Sequence, residues 1–152
     1  MTHNKKVIEL PLSKTWTFWD FVSPGGGTPI EDWRKGLSEE AEKAFNNLLK
    51  INCTASDSLH WVGRGRNFFL EGKSKEERVW ELVFQDSDKV QYRILGVFWP
   101  KHVRKQATLL ICCTHKEGVY DPPNCLQTAI SRKKMLREGV AGRHERKIRY
   151  SV

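Results

Sequence analysis

The sequence predicts an α+β domain: two N-terminal helices packed on a small antiparallel sheet, with a third helix after it. Three observations predict it. "VWELVFQDSDKVQYRILGVFW" alternates apolar and polar residues on either side of a turn, the pattern of paired strands. "SEEAEKAFNNLLK" places Ala41, Ala44, Phe45, Leu48 and Leu49 on one helical stripe. "ATLLICCT" is apolar at nearly every position, as a central strand covered on both faces would be.

Taken in order, "KTWTFWDFV" alternates Trp16 and Phe18 with Thr15 and Thr17 and predicts a strand over Thr15–Val22. "SPGGGTP" breaks it. Thr28, Pro29 and Glu31 fit N-cap, N1 and N3 of a short helix over Pro29–Lys35, which Gly36 can end. Ser38 caps a second helix, Glu39–Lys50, with Glu39 and Glu40 at the positive end of its dipole. Residues 51–78 read as irregular, rich in Gly, Ser and charge. Strands follow over Val79–Phe84, Val90–Phe98 and Ala107–Cys113. Short loops join them, so an antiparallel meander is expected. Trp80, Leu82 and Phe84 share one face, and Val79, Glu81 and Val83 the other. "DPPNCLQTAISRKKMLREG" predicts a helix capped by Asp121 or Asn124 and ended by Gly139, with Leu126, Ala129 and Ile130 buried. Trp16, Trp33 and Trp80 are expected in the core.

At 152 residues the chain is long enough for one domain with a real core. No 18-residue apolar run is present, and the "MTHNKKVIELPL" start does not read as a signal peptide, so a cytoplasmic protein without a membrane span is expected. The four cysteines lack a CxxC spacing and read as small buried hydrophobes; no metal site and no cofactor is expected, and Cys112 and Cys113 are expected to be unbridged. Net charge is +8, and Arg132–Arg149 alone holds eight Lys or Arg against two Glu. A basic end on a balanced body points to an anionic partner, or else to a solvated tail.

The words "FVSPGGGTPIEDWRKGLSEEAEKAF", "VWELVFQDSDKVQYRILGVF" and "LLICCTHKEGVYDPP", in this order before a basic helix, resemble the RelE/HigB toxin superfamily, and within it the phage-derived HigB-like branch. That branch has a Trp-Glu-Leu-Arg strand, a Tyr-Arg-Val/Ile-Leu strand, and an apolar strand ending in a basic pair before a Pro-containing turn and helix. The resemblance covers residues 14–138. Residues 1–13 form an N-terminal extension and residues 139–152 a basic tail. It implies the toxin of a type II toxin–antitoxin module: a metal-free endoribonuclease that cleaves mRNA in association with the ribosome and is held by a helix-turn-helix antitoxin. The alternative is a homologue acting by protein binding, as a ParE-like gyrase inhibitor or as an inactive phage-derived protein.

Metal-free RNA cleavage requires removal of the 2′-hydroxyl proton, protonation of the leaving 5′ oxygen, and cations beside the phosphoryl oxygens. Arg93, mid-strand in "YRILGVF", is the first candidate; by the resemblance it matches the family's phosphate-binding Arg. Lys116 matches the basic residue after the last strand. His115 is a candidate general acid or base, and Tyr120 sits where relatives place a base-stacking Tyr. Arg93 and Lys116 are expected on one side of the sheet, near His115, in an open concavity. Arg64, Arg66 and Lys73 in the Gly-rich segment, and Arg132, Lys133 and Lys134 on the last helix, are candidate RNA contacts. Two departures stand against the nuclease. Val83 replaces the branch's Arg. Glu81 stands where ribosome-dependent nucleases often have a catalytic Lys, and could act as a general base or as a neutralising partner of Arg93.

Overall fold

The computed structural model of the protein describes residues 7–9, 15–71, 78–100 and 103–151. The elements run β1 (Val7–Glu9), β2 (Thr17–Val22), α1 (Pro29–Lys35), α2 (Glu39–Cys53), a 3-10 turn (Ser58–His60), β3 (Arg64–Glu71), β4 (Val79–Gln85), β5 (Gln91–Val97), β6 (Gln106–Lys116), β7 (Val119–Asp121), α3 (Cys125–Arg137), β8 (Gly142–Glu145) and β9 (Arg149–Ser151). Among the described residues, seven strands form one sheet in the order β3-β4-β5-β6-β2-β8, with β7 added to the far end of β6; β1 and β9 form a separate pair. The domain is α+β as expected, but the sheet is larger than the small one expected. Its pairs are antiparallel except β2 with β6, which run parallel.

The β4–β5–β6 meander forms because its alternation gives each strand two apolar faces. One face carries Phe18, Trp80, Leu82, Ile94, Leu109 and Cys112 and is covered by α1 and α2 through Ile30, Phe45, Leu48 and Leu49. The other carries Phe21, Val79, Leu95, Val97, Ile111 and Cys113 and is covered by α3 through Cys125, Ala129 and Leu136. Helices thus lie on both faces. Gly96 sits opposite Trp80 in the β4–β5 register, and a Cβ there would lie 2.3 Å from the indole. The glycine in "YRILGVF" is what lets that ring lie flat on the sheet.

A bulge in β6 sets the phase of the site. Leu95 pairs with Ile111 and Gly96 with Leu109, so Leu110 is the extra residue. The bulge frees the Leu110 carbonyl, and Arg132 Nη1 donates to it at 2.7 Å. Beyond the bulge, Ile111, Cys113 and His115 take the α3 face, and Cys112, Thr114 and Lys116 the other.

Caps follow the sequence in part. Ser38 Oγ accepts from Ala41 N–H at 3.1 Å. Thr28 and Asn124 occupy their N-cap positions without a side-chain capping bond. Within the segment expected to be irregular, Arg64–Glu71 is an edge strand whose register against β4 shifts twice, which hides its alternation. The segment after Gly139, expected outside the domain, joins it. β8 pairs with β2, the Arg146 N–H donates to the Phe18 carbonyl, and Ile148 is buried.

Candidate functional site

At one end of the sheet, on the α3 face, strands β4 to β7 bring four of the candidate residues into a chain of contacts. Register explains it. Val83 lies opposite Arg93, Arg93 opposite Cys113, Gln91 opposite His115, and His115 opposite Tyr120, so their side chains share a face. Arg93 Nη1 donates to both oxygens of Glu81, at 3.1 and 3.0 Å, and lies 3.4 Å from the Tyr120 hydroxyl. Its Nη2 donates to Gln91 Oε1 at 3.0 Å. Its guanidinium lies 5.6 Å from the Tyr120 ring centre, and the His115 and Tyr120 rings are 4.6 Å apart. Burial pushes the Tyr120 phenol up, against the pull of Arg93.

The Glu81 side chain is only 3% exposed, against 20% for Arg93. A Cβ on Gly65 would lie 2.3 Å from Glu81 Oε1, so the carboxylate occupies space that only glycine leaves on β3. It leans away from His115. Glu81 and His115 stand two strands and four residues apart, roughly 10 Å across and 13 Å along the sheet. One phosphate therefore cannot sit between them as between a general base and a general acid.

Lys116 does not join the group. The expectation took β6 to stop at Cys113, but it runs on through Lys116 and turns at Glu117 and Gly118, both at positive φ, into β7. His115 and Lys116 are then neighbours in a strand and point to opposite faces. Lys116 and Arg93 are on opposite sides of the sheet, correcting the shared cationic cleft expected from sequence.

The candidate RNA contacts are dispersed. Arg64 Nη1 donates to the Ser58 carbonyl at 2.6 Å, and its guanidinium lies 3.8 Å from the centre of the Phe68 ring. Arg66 is exposed on β3, and Lys73 lies outside the described residues. Arg132 holds the β6 bulge, Lys133 is buried, and Lys134 is exposed with Glu138 at 3.8 Å. The four cysteines are free and buried. Among the described residues, no group of three or more His, Cys, Asp or Glu is placed to hold a metal ion, and no helix is long and apolar enough to cross a membrane.

Three features went unread in the sequence. Gln91 holds Arg93; its signal was its place two residues before Arg93, hence on the same face. A second charged cluster joins the C-terminal segment to β2: Arg146 donates to Asp20 through Nε and Nη2, both at 2.8 Å, and to Glu31 at 2.9 Å. Burial opposes the Arg146 charge, but Asp20 and Glu31 outweigh it and raise the guanidinium above its ordinary range. The third feature is a cleft of about 320 Å³ beside Glu81 and Tyr120, walled by Leu70, Leu95 and Leu126 and reaching Cys125 at the start of α3.

Comparison of the chain with protein-family models, with curated proteins and with solved structures returns no match.

Proposed function

We propose that the protein is a RelE/HigB-type toxin homologue, paired with a helix-turn-helix antitoxin, that acts by contact with its target and not by cutting RNA. The attribution rests on the three sequence words; the α+β fold is compatible with it, with β2, α1, α2, the antiparallel β4–β5–β6 meander and α3 in chain order, and with β3, β7 and β8 as strands beyond that expectation. The observation that carries the mode of action is the Glu81–Arg93 pair. The Arg93 charge is balanced by the buried Glu81 carboxylate, which leaves the pair without a net positive charge for a phosphate.

Val83 completes the point. The resembling branch often has an Arg at this position, and register puts position 83 directly opposite Arg93. With two arginines and one glutamate, a cation would remain for the phosphate. With Val83 the group is neutral.

A second reading, the endoribonuclease, is favoured by one observation. The His115 and Tyr120 rings stand together beside Arg93, His115 partly exposed and Tyr120 exposed, where an imidazole could move a proton and a phenol ring could stack on a base. Induced expression separates the readings. Contact predicts growth arrest with no new mRNA 5′ ends. New 5′ ends would make the protein a nuclease, and unimpaired growth would remove the toxin assignment.

A further inference from the structure

We infer that Cys125 is an oxidation site at which a peroxide closes a disulfide with Cys113, joining the start of α3 to β6. This chemistry goes beyond the toxin reading and stands without it, since it needs two thiols and no cellular target.

Beyond the β6 bulge Cys113 points to the α3 face, where Cys125, the first residue of α3, packs in the same apolar cluster. The two thiols share a hydrogen bond, donated by Cys113. Cys125 Sγ in turn donates to the Pro122 carbonyl at 3.0 Å. Cys125 lines the cleft beside Glu81 and Tyr120, and Cys113 lies behind it, wholly buried. That cleft, about 320 Å³, admits a molecule as small as hydrogen peroxide. Cys112, next in the strand, points into the opposite core cluster.

The two sulfurs have different parts to play. The hydrogen bond from Cys113 holds the Cys125 thiol below its ordinary value, against burial and the Asp121 charge, and Arg132 favours the thiolate. The first turn of α3 favours negative charge at the same place. The same hydrogen bond, with burial, keeps Cys113 protonated. Burial does so for Cys112. The Cys125 thiolate attacks one peroxide oxygen and the O–O bond breaks. The leaving oxygen takes up the proton that Cys125 lost, giving a sulfenic acid and water. Cys113 then attacks the Cys125 sulfur. The S–S bond forms, the S–O bond breaks, and the Cys113 proton leaves with the hydroxide as a second water. The two thiols give up two electrons, and the peroxide accepts them. The new bond closes a loop over Thr114–Asn124, which carries His115 and Tyr120.

Treating the reduced full chain with hydrogen peroxide, then alkylating the remaining thiols and digesting with trypsin, tests this. Tryptic peptide 106–116 holds Cys112 and Cys113, and peptide 117–132 holds Cys125. The two should be joined, in a chain that stays monomeric on a non-reducing gel, and dithiothreitol should release them. Tandem fragmentation of the joined parent peptides should place the bond on Cys113 without recourse to any variant. Cys112→Ala should keep the link. Cys113→Ala should lose it and leave Cys125 as a sulfenic acid that dimedone traps, with native circular dichroism. No link in the folded parent, a link that forms only in urea, a link between two chains, or a bond on Cys112 would each overturn the assignment.

Discussion

Arg93 reaches across from β5 to hold both carboxylate oxygens of Glu81, and Glu81 in turn fills the space that Gly65 leaves on β3. The three residues make one unit across three strands. Arg93 is therefore a structural cation first.

The stability of Arg93→Ala follows. The variant leaves Glu81 buried without its partner, and such losses cost about 3–5 kcal/mol. Because Arg93 keeps some solvent contact, a value near the lower end is expected from urea denaturation. Replacing both residues by Leu should recover most of it. A variant as stable as the parent would mean that the pair is not formed in solution.

Val83→Arg should restore a free cation at the site. One added phosphate contact raises the salt dependence of single-stranded RNA binding by about 0.7 in the log–log slope. Tighter binding to a short RNA with that steeper slope is the expected result, read by fluorescence anisotropy over a salt series. An unchanged slope would place position 83 out of reach of the backbone.

Gly96→Ala addresses the core. The added methyl would meet the Trp80 ring and the Thr108 carbonyl, at 2.3 and 2.7 Å. Neither is the end of a flexible side chain. Overpacking of this kind costs roughly 1–3 kcal/mol, and thermal melts should show it without loss of the α+β circular dichroism signature.

The Glu31 carboxyl is lowered from its ordinary value to about 2, first by the hydrogen bond from Arg34, then by Arg146. A carboxyl lowered on folding contributes stability that is fully present above its unfolded value, near 4.5, and is lost as pH falls toward 2. Because Glu31 is partly exposed, the effect is reduced by solvent. Urea midpoints measured between pH 5 and 2 should fall more steeply for the parent than for Glu31→Gln.

Much of the fold was legible because it is periodic. The α2 stripe and the meander each repeat an apolar pattern that can bury itself only one way. Arg64–Glu71 was hidden because its two register shifts break the alternation, and Gly142–Glu145 because its four polar or small residues pair with β2, far away in the chain. Glu81, Arg93, His115 and Tyr120 were legible as candidates, and alternation across the meander does bring them together. The place of Lys116 was not, because an Ile-Cys-Cys-Thr run gives no sign that the strand continues through His115 into a tight hairpin. The binding of Arg146 to Asp20 has no local signal at all, since the two residues lie 126 positions apart.

The claim that this site works by contact is tested most directly by mapping mRNA 5′ ends after induction, or after adding purified protein to translating ribosomes. Action by contact predicts that growth arrests after induction while the 5′-end profile, in cells and on ribosomes, stays that of the control. New 5′ ends that accumulate over many turnovers, and that vanish with His115→Ala, would contradict it.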